Sequence, residues 1–162
     1  MDETCGKVAV IAGATGGIGA AVAKALGGAG YRLVLNGRSR EKLDALATEI
    51  AAPTAIIAGD LRDATVPSKL LAAALENFSR CDVCFNNGGI LEVGPIQTID
   101  IERVCEMARV NVEGAFRVAY TFMNIPEPLT PADIARVVLF ILDQPAHVRI
   151  PQLMILPKGH EI

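Results

Sequence analysis

A doubly wound α/β domain, with a parallel sheet covered by helices on both faces, is the fold class this 162-residue sequence predicts. Three observations carry that expectation. Short β-branched runs alternate with longer helical patterns through the first 123 residues, the strand runs are apolar on both faces, and a glycine cluster falls between the first strand and the first helix.

The elements follow in order. KVAVIAG (7–13) reads as the first strand and 17–28 as a helix of small residues. YRLVLNG (31–37) is the second strand, and 39–51 the second helix, with Ser39 as its N-cap. TAIIAGD (54–60) is the third strand, roughly 64–78 the third helix, CDVCFNN (81–87) the fourth strand, and 98–123 one long helix. The rhythm then breaks. Thr130, Pro131 and Asp133 start a helix with a buried stripe of Ile134, Val137, Val138, Ile141 and Leu142, and QLMIL (152–156) is a closing strand. Two helices therefore follow one another with no strand between them.

Composition narrows the function classes. With 51% hydrophobic residues the chain can bury one core, so 1–162 is expected to be a single domain. A net charge of −3, no basic excess and only seven aromatic residues (five Phe, two Tyr) argue against a nucleic-acid partner. No window approaches the unbroken apolar run of about 20 residues that crosses a bilayer, and MDETCGK is too polar for a secretory signal. A cytoplasmic protein acting on a small molecule, with no membrane partner, is the expectation. Cys81 and Cys84 form a CxxC, but within a strand positions three apart face opposite sides, so they read as small buried hydrophobes. His147 and His160 have no partners at ligand spacing, and no metal site is expected.

The chemistry-bearing motifs lie at the strand ends. GATGGIG places Gly13, Gly17 and Gly19, with Ile18 between the last two, where a dinucleotide pyrophosphate needs a tight turn, bare backbone and a helix N-terminus. Glycines also serve ordinary turns; it is the position between strand and helix that favours the dinucleotide. Thr15 adds a hydroxyl for a phosphate. At the end of the second strand, an NAD site usually offers a carboxylate to the ribose, whereas this chain offers Asn36-Gly37-Arg38-Ser39-Arg40. With no acid to repel a 2′-phosphate and a guanidinium fork to hold it, NADP is favoured over NAD; the rival is a pair of solvated arginines at a helix start. Asp60-Leu61 ends the third strand where Asp60 can accept from an adenine amino group, or simply cap the next helix. FNNGG (85–89) brings Asn86, Gly88 and Gly89 to lie against a ribose, or forms a plain loop.

In this order, AGATGGIG (12–19), GDL (59–61) and NNGG (86–89) resemble the signatures of the short-chain dehydrogenase/reductase family, with Ala12 and Gly88 as departures. The resemblance implies a Rossmann-like fold and hydride transfer between NADP(H) and a carbonyl or secondary-alcohol substrate, in a homo-oligomer that pairs partly through residues 98–123. It also implies that Asn111, in RVNVEGAF, helps hold a water in a proton relay; by itself such an Asn would bond its own helix. The tail 128–156 looks like the closing helix and last strand of the same family.

The middle is what departs. The family's Ser, and its Tyr-x-x-x-Lys in which the Lys lowers the Tyr pKa, have no counterpart here. Tyr31 begins the second strand, and Tyr120 is followed four residues later by Asn124, which bears no charge; Tyr120 is therefore expected to pack in the core. The fifth and sixth strands are missing, an amount of chain on the order of 60 residues. The 162 residues are accordingly expected to come from a longer chain, with a join near 123–125. Taken literally, they would be a catalytically inactive, truncated NADP-binding or interaction protein.

Overall fold

The computed structural model describes residues 6–122, together with 136, 137, 140, 143–145 and 148. The chain divides into two compact units, Met1–Phe122 and Met123–Ile162. In the second, the backbone is helical at 136, 137 and 140, and the Val148 amide donates to the Pro145 carbonyl at 2.8 Å. The join expected near 123–125, the helix start at Thr130 and the strand 152–156 lie outside the described residues.

In the first unit, β1 (Val8–Ala12), β2 (Arg32–Gly37), β3 (Thr54–Ala58) and β4 (Val83–Asn86) form one parallel sheet in the order β3-β2-β1-β4. The strands are pinned in register, for example Val10 beside Val34 and Cys84, and Leu35 beside Ile56. Parallel strands need crossovers, supplied here by α1 (Gly17–Gly28), α2 (Arg40–Glu49) and α3 (Val66–Phe78).

Alternation along the strands sorts the core into two faces. Ala9, Ile11, Leu33 and Leu35 pack with Ala23 of α1 and Leu43 and Leu46 of α2. Val8, Val10, Ala12 and Val34 pack with Leu70, Ala73 and Ala74 of α3 and with Val118. All five residues of β1 are buried, which is why its sequence is apolar throughout rather than alternating. Each fully buried Leu or Val contributes roughly 1.5–3 kcal/mol of transfer free energy. The sheet is thus doubly wound, and among the described residues β4 pairs only with β1.

Ser39 is the N-cap of α2, its Oγ accepting from the Lys42 amide at 3.2 Å. The long helix, expected over 98–123, is instead three pieces: α4 (Ile101–Ala108), a π-helical turn (Arg109–Gly114) and α5 (Ala115–Phe122). It starts at 101 because the Asp100 carboxylate takes the Glu102 amide at 3.0 Å. The wider turn coincides with two tertiary contacts: Asn111 bonds the backbone of Ile90, and Gly114 comes close enough to the Leu61 carbonyl that a Cβ would sit 3.1 Å from it.

Two expectations are corrected. Tyr120 does not pack in the core; it is 79% exposed. Val118 and Phe122, one turn apart, face the α3 side of the core, and Tyr120, two residues from each, is turned to the opposite face of α5. Cys81 and Cys84 do not face opposite sides, because β4 begins at Val83 and Cys81 precedes it; both join the α3-side core. There burial pushes the Cys84 thiol up to about 12, with the neighbouring Cys81 adding to it, so little Cys84 thiolate exists near neutral pH.

Candidate functional site

A cleft of about 710 Å³ opens at the carboxyl ends of the strands. It lies where the strand order reverses, with β1 flanked by β2 on one side and β4 on the other, the position where ligands bind in open α/β sheets.

The floor is built from two loops that touch. Gly13, just after β1, has φ +73°, and a Cβ there would lie 2.8 Å from the Cα and N of Gly88, in the loop after β4. A glycine is required on both counts. The Asn87 side chain ties the loops together by donating to the Gly13 carbonyl at 3.3 Å. Gly19 is buried beneath this turn, where a Cβ would run into the Gly13 carbonyl. Gly17, by contrast, has nothing within 4 Å of where its Cβ would be, and with Ile18 it lines the cleft at the start of α1. The N-cap, Gly16, supplies no side-chain oxygen and no acid stands in the first turn, so the first N–H groups of α1 and its positive dipole end stay available to an anion.

The β2 side carries the charge. Asn36 is buried and spends its side-chain amide on β3, donating to the carbonyls of Ile57 at 3.0 Å and Gly59 at 3.1 Å. Gly37 leaves room for Thr15, whose side-chain atoms would lie 2.9 Å from a Cβ there. Arg38 is exposed and lines the cleft, whereas Arg40 pairs with Asp44 one turn along α2, at 3.1 Å. At the end of β3, Asp60 is gripped by Arg62, which donates from its backbone amide (2.9 Å), Nε (3.0 Å) and Nη2 (2.7 Å). The Arg62 hydrogen bonds hold the Asp60 carboxyl below the ordinary carboxylate range, against the upward pull of burial. Arg62 also reaches Glu106 of α4, and Arg103 of α4 reaches Glu92 at 2.9 Å in the loop after β4. Since α4 buries none of its residues, these ion pairs and the bond from the Glu92 amide to the Met107 sulfur hold it as a cleft wall.

Gly13, Thr15, Gly17, Ile18 and Arg38, and then Asp60, Leu61, Gly88 and Gly89, all line the one cleft. The other four candidates are set back from its walls: Gly19 under the turn, Ser39 in its cap, Asn86 facing the Ala115 carbonyl at 3.5 Å, and Asn111. The Asn111 amide accepts from the Ile90 N–H at 2.9 Å and donates to the Ile90 carbonyl at 2.7 Å, so it bonds the cleft loop rather than its own helix. Sequence reasoning passed over Lys42, Arg62, Asn87, Arg103 and Glu106. Lys42, one helical turn past Arg38, and Arg62, next to Leu61, had a signal in their spacing; Arg103 and Glu106 had none, since only the tertiary fold brings α4 to the cleft.

The short chain dehydrogenase family model matches residues 7–130. The chain belongs to the short-chain dehydrogenase family. It is 36% identical over 118 residues to versicolorin reductase 1 of Aspergillus parasiticus, covering 70% of this chain and 45% of that protein. It is 35% identical over 134 residues to the sulfoacetaldehyde reductase of Chromohalobacter salexigens, covering 78% and 53%. Among solved structures, a metagenomic short-chain oxidoreductase in complex with NADP is 34% identical, with a TM-score of 0.67 over 73% of this chain and 55% of that one. The F189W actinorhodin polyketide ketoreductase with NADPH is 29% identical, with a TM-score of 0.68 over 75% and 48%. The chain spans about half the length of the curated relatives it matches. It is thus a Rossmann-like member of an oxidoreductase family, and no helix among the described residues is long and apolar enough to cross a membrane.

Proposed function

We propose that this protein binds NADP(H), in preference to NAD(H), and transfers hydride between the nicotinamide and a small carbonyl or secondary-alcohol substrate. The observation that carries the reading is the β2 end: no acid stands there, and Arg38 opens onto the cleft without an ion pair among the described residues. The residues present fit the cofactor, because Gly17 lines the cleft as bare backbone with nothing within 4 Å of where its Cβ would be and the first turn of α1 is free of acids.

In this reading Gly13, Thr15, Gly17, Ile18 and Gly19 form the pyrophosphate cradle, Arg38 holds the 2′-phosphate next to the Ser39 cap, and Asp60 and Leu61 meet the adenine. Asn86, Gly88 and Gly89 lie along the nicotinamide ribose, and Asn111 keeps its place beside the relay water while anchoring Ile90. The cofactor would supply the hydride acceptor or donor, and the Ser, Tyr and Lys that handle the substrate proton would come from chain inserted near 123–125. Two facts support that last point: the half-length match to the reductases and the single pairing of β4 among the described residues. We further infer a homo-oligomer joined through the exposed apolar stripe Val112, Phe116 and Tyr120, and a reducing, cytoplasmic setting in keeping with the free thiols of Cys84 and Cys105.

The test is equilibrium binding of NADPH and NADH by nucleotide fluorescence, followed by NADPH oxidation with a panel of aldehydes and ketones. NADPH should bind at least about tenfold more tightly, the effect of one charge-assisted contact; equal affinities would refute the cofactor assignment. A second reading, nucleotide binding without turnover, rests on the absence of any Tyr-x-x-x-Lys in the sequence. It is established by an intact mass of 17.1 kDa together with NADPH binding and no oxidation of any substrate.

A further inference from the structure

The chain holds two Asn-Gly dipeptides, Asn36-Gly37 at the end of β2 and Asn87-Gly88 in the loop after β4. In such a pair the glycine backbone nitrogen can attack the side-chain carbonyl carbon of the asparagine. A C–N bond forms, the side-chain nitrogen leaves as ammonia, and the resulting cyclic imide takes up water to open as aspartate or as isoaspartate, in which the main chain runs through the former side chain. Solvent water is the sole co-reactant. Glycine favours the attack because no Cβ crowds the nitrogen and its backbone turns freely. The surrounding fold then decides which pair can react.

Asn36 is held back. It is buried, its side-chain amide donates to the carbonyls of Ile57 and Gly59, and its own carbonyl accepts from the Ala14 amide at 2.7 Å. Gly37 is buried as well, in register beside Ala58 of β3. Asn87 is far less constrained. It stands half-buried at the cleft wall, and its side chain makes a single hydrogen bond among the described residues, the 3.3 Å contact to the Gly13 carbonyl. The Gly88 N–H, the attacking group, donates to no acceptor among the described residues. The Asn87 side-chain nitrogen also lies 3.9 Å from where a Cβ on Gly16, the N-cap of α1, would be. Negative charge that develops as the Gly88 nitrogen attacks therefore forms beside the positive end of a helix, which favours it.

We propose that Asn87-Gly88 is a self-modification site, where spontaneous deamidation places an acid in the cleft and closes it to anionic ligands. The modification does not depend on what the cleft binds; its consequence rests on the nucleotide reading. An aspartate at 87 stands beside the first N–H groups of α1 and repels the phosphates those groups would otherwise receive. An isoaspartate adds a carbon to the main chain where the loops meet, at a contact so close that a Cβ on Gly13 would lie 2.8 Å from the Gly88 backbone.

The experiment is incubation of the full chain in mildly alkaline buffer, which draws the proton from the amide nitrogen, both folded and in urea, with peptide mapping by mass spectrometry over time. In urea the two dipeptides should convert at similar rates. In the folded chain Asn87 should convert at least about tenfold faster than Asn36, which must first give up two hydrogen bonds and its place in the sheet. Asn87→Asp, titrated with NADPH, should bind at least about tenfold more weakly than wild type. Conversion at Asn87 no faster than at Asn36 in the folded chain overturns the site. An Asn87→Asp protein that binds NADPH as wild type does overturns the closing of the cleft. Wild type that converts at Asn87 yet binds no NADPH upholds the site and refutes the nucleotide reading alone.

Discussion

Substituting Gly13 and Gly17 separately should divide the stability of the turn from its binding function. In Gly13→Ala the new side chain meets two penalties. A non-glycine residue at φ +73° costs about 1–2 kcal/mol. The Cβ also lies 2.8 Å from the Gly88 backbone and 2.9 Å from the Asn87 carbonyl carbon, atoms that cannot swing aside because β4 is in register with β1. Forcing those loops apart adds about 1–3 kcal/mol, typical of overpacking. The sum, about 2–5 kcal/mol, is a large part of the 5–15 kcal/mol that holds an ordinary domain folded. Gly17→Ala is the contrast. The position is the first of α1 with open space around it, so stability should hold or rise by about 0.4–1 kcal/mol. Its methyl group, however, stands at the cleft wall, where the pyrophosphate of the proposed cofactor would approach. Urea unfolding gives the stabilities and NADPH titration the affinities. A Gly13→Ala protein within about 0.5 kcal/mol of wild type would refute the close-contact argument, and undiminished NADPH binding by Gly17→Ala would refute the path assigned to the phosphates.

Two further outcomes follow from the cleft's polar contacts. Because Arg62 holds the Asp60 carboxyl below its ordinary value, the pair stabilises the fold above about pH 4 and loses that contribution as pH falls through the lower folded-state value. Asp60→Asn should therefore lower stability at neutral pH and narrow its gap to wild type as urea midpoints are followed into acid; a gap constant with pH would refute this. Asn111→Ala should leave the Ile90 N–H and carbonyl to water, changing global stability by about 0.5–1.5 kcal/mol while hydrogen exchange across residues 88–92 accelerates. Unchanged exchange there would show that the loop does not depend on this amide.

The parts legible in the sequence are those fixed by local rules. Consecutive apolar residues in VAVIA required a strand covered on both faces, the glycines between it and α1 required a tight turn, and Ser39 ahead of Arg-Glu-Lys required a cap. What was not legible depends on partners remote in the chain. The π-helical turn accompanies Asn111 reaching a backbone 21 residues away. The exposure of Tyr120 depends on which face of α5 meets α3, which no periodicity within 115–122 decides. The Asn36 amide is taken by the carbonyls of Ile57 and Gly59, 21 and 23 residues away. Arg62 needed two acids, one from β3's end and one from α4, to become part of the cleft wall.

The central position of β1 has a consequence for the order of assembly. Its ladder with β2 joins residues 24 apart, Val8 and Arg32, whereas the bond from the Val8 amide to Asp82 at the β4 end spans 74. Closing the longer loop costs about 1 kcal/mol more in chain entropy, so the β1–β2 pair has the kinetic advantage and β4 arrives later. The contact between Gly13 and Gly88 exists only once β4 has docked. On the proposed nucleotide reading of the cleft, binding would report the last stage of folding: a chain that binds has brought β4 to β1, and a ligand held in the cleft would stabilise that closure.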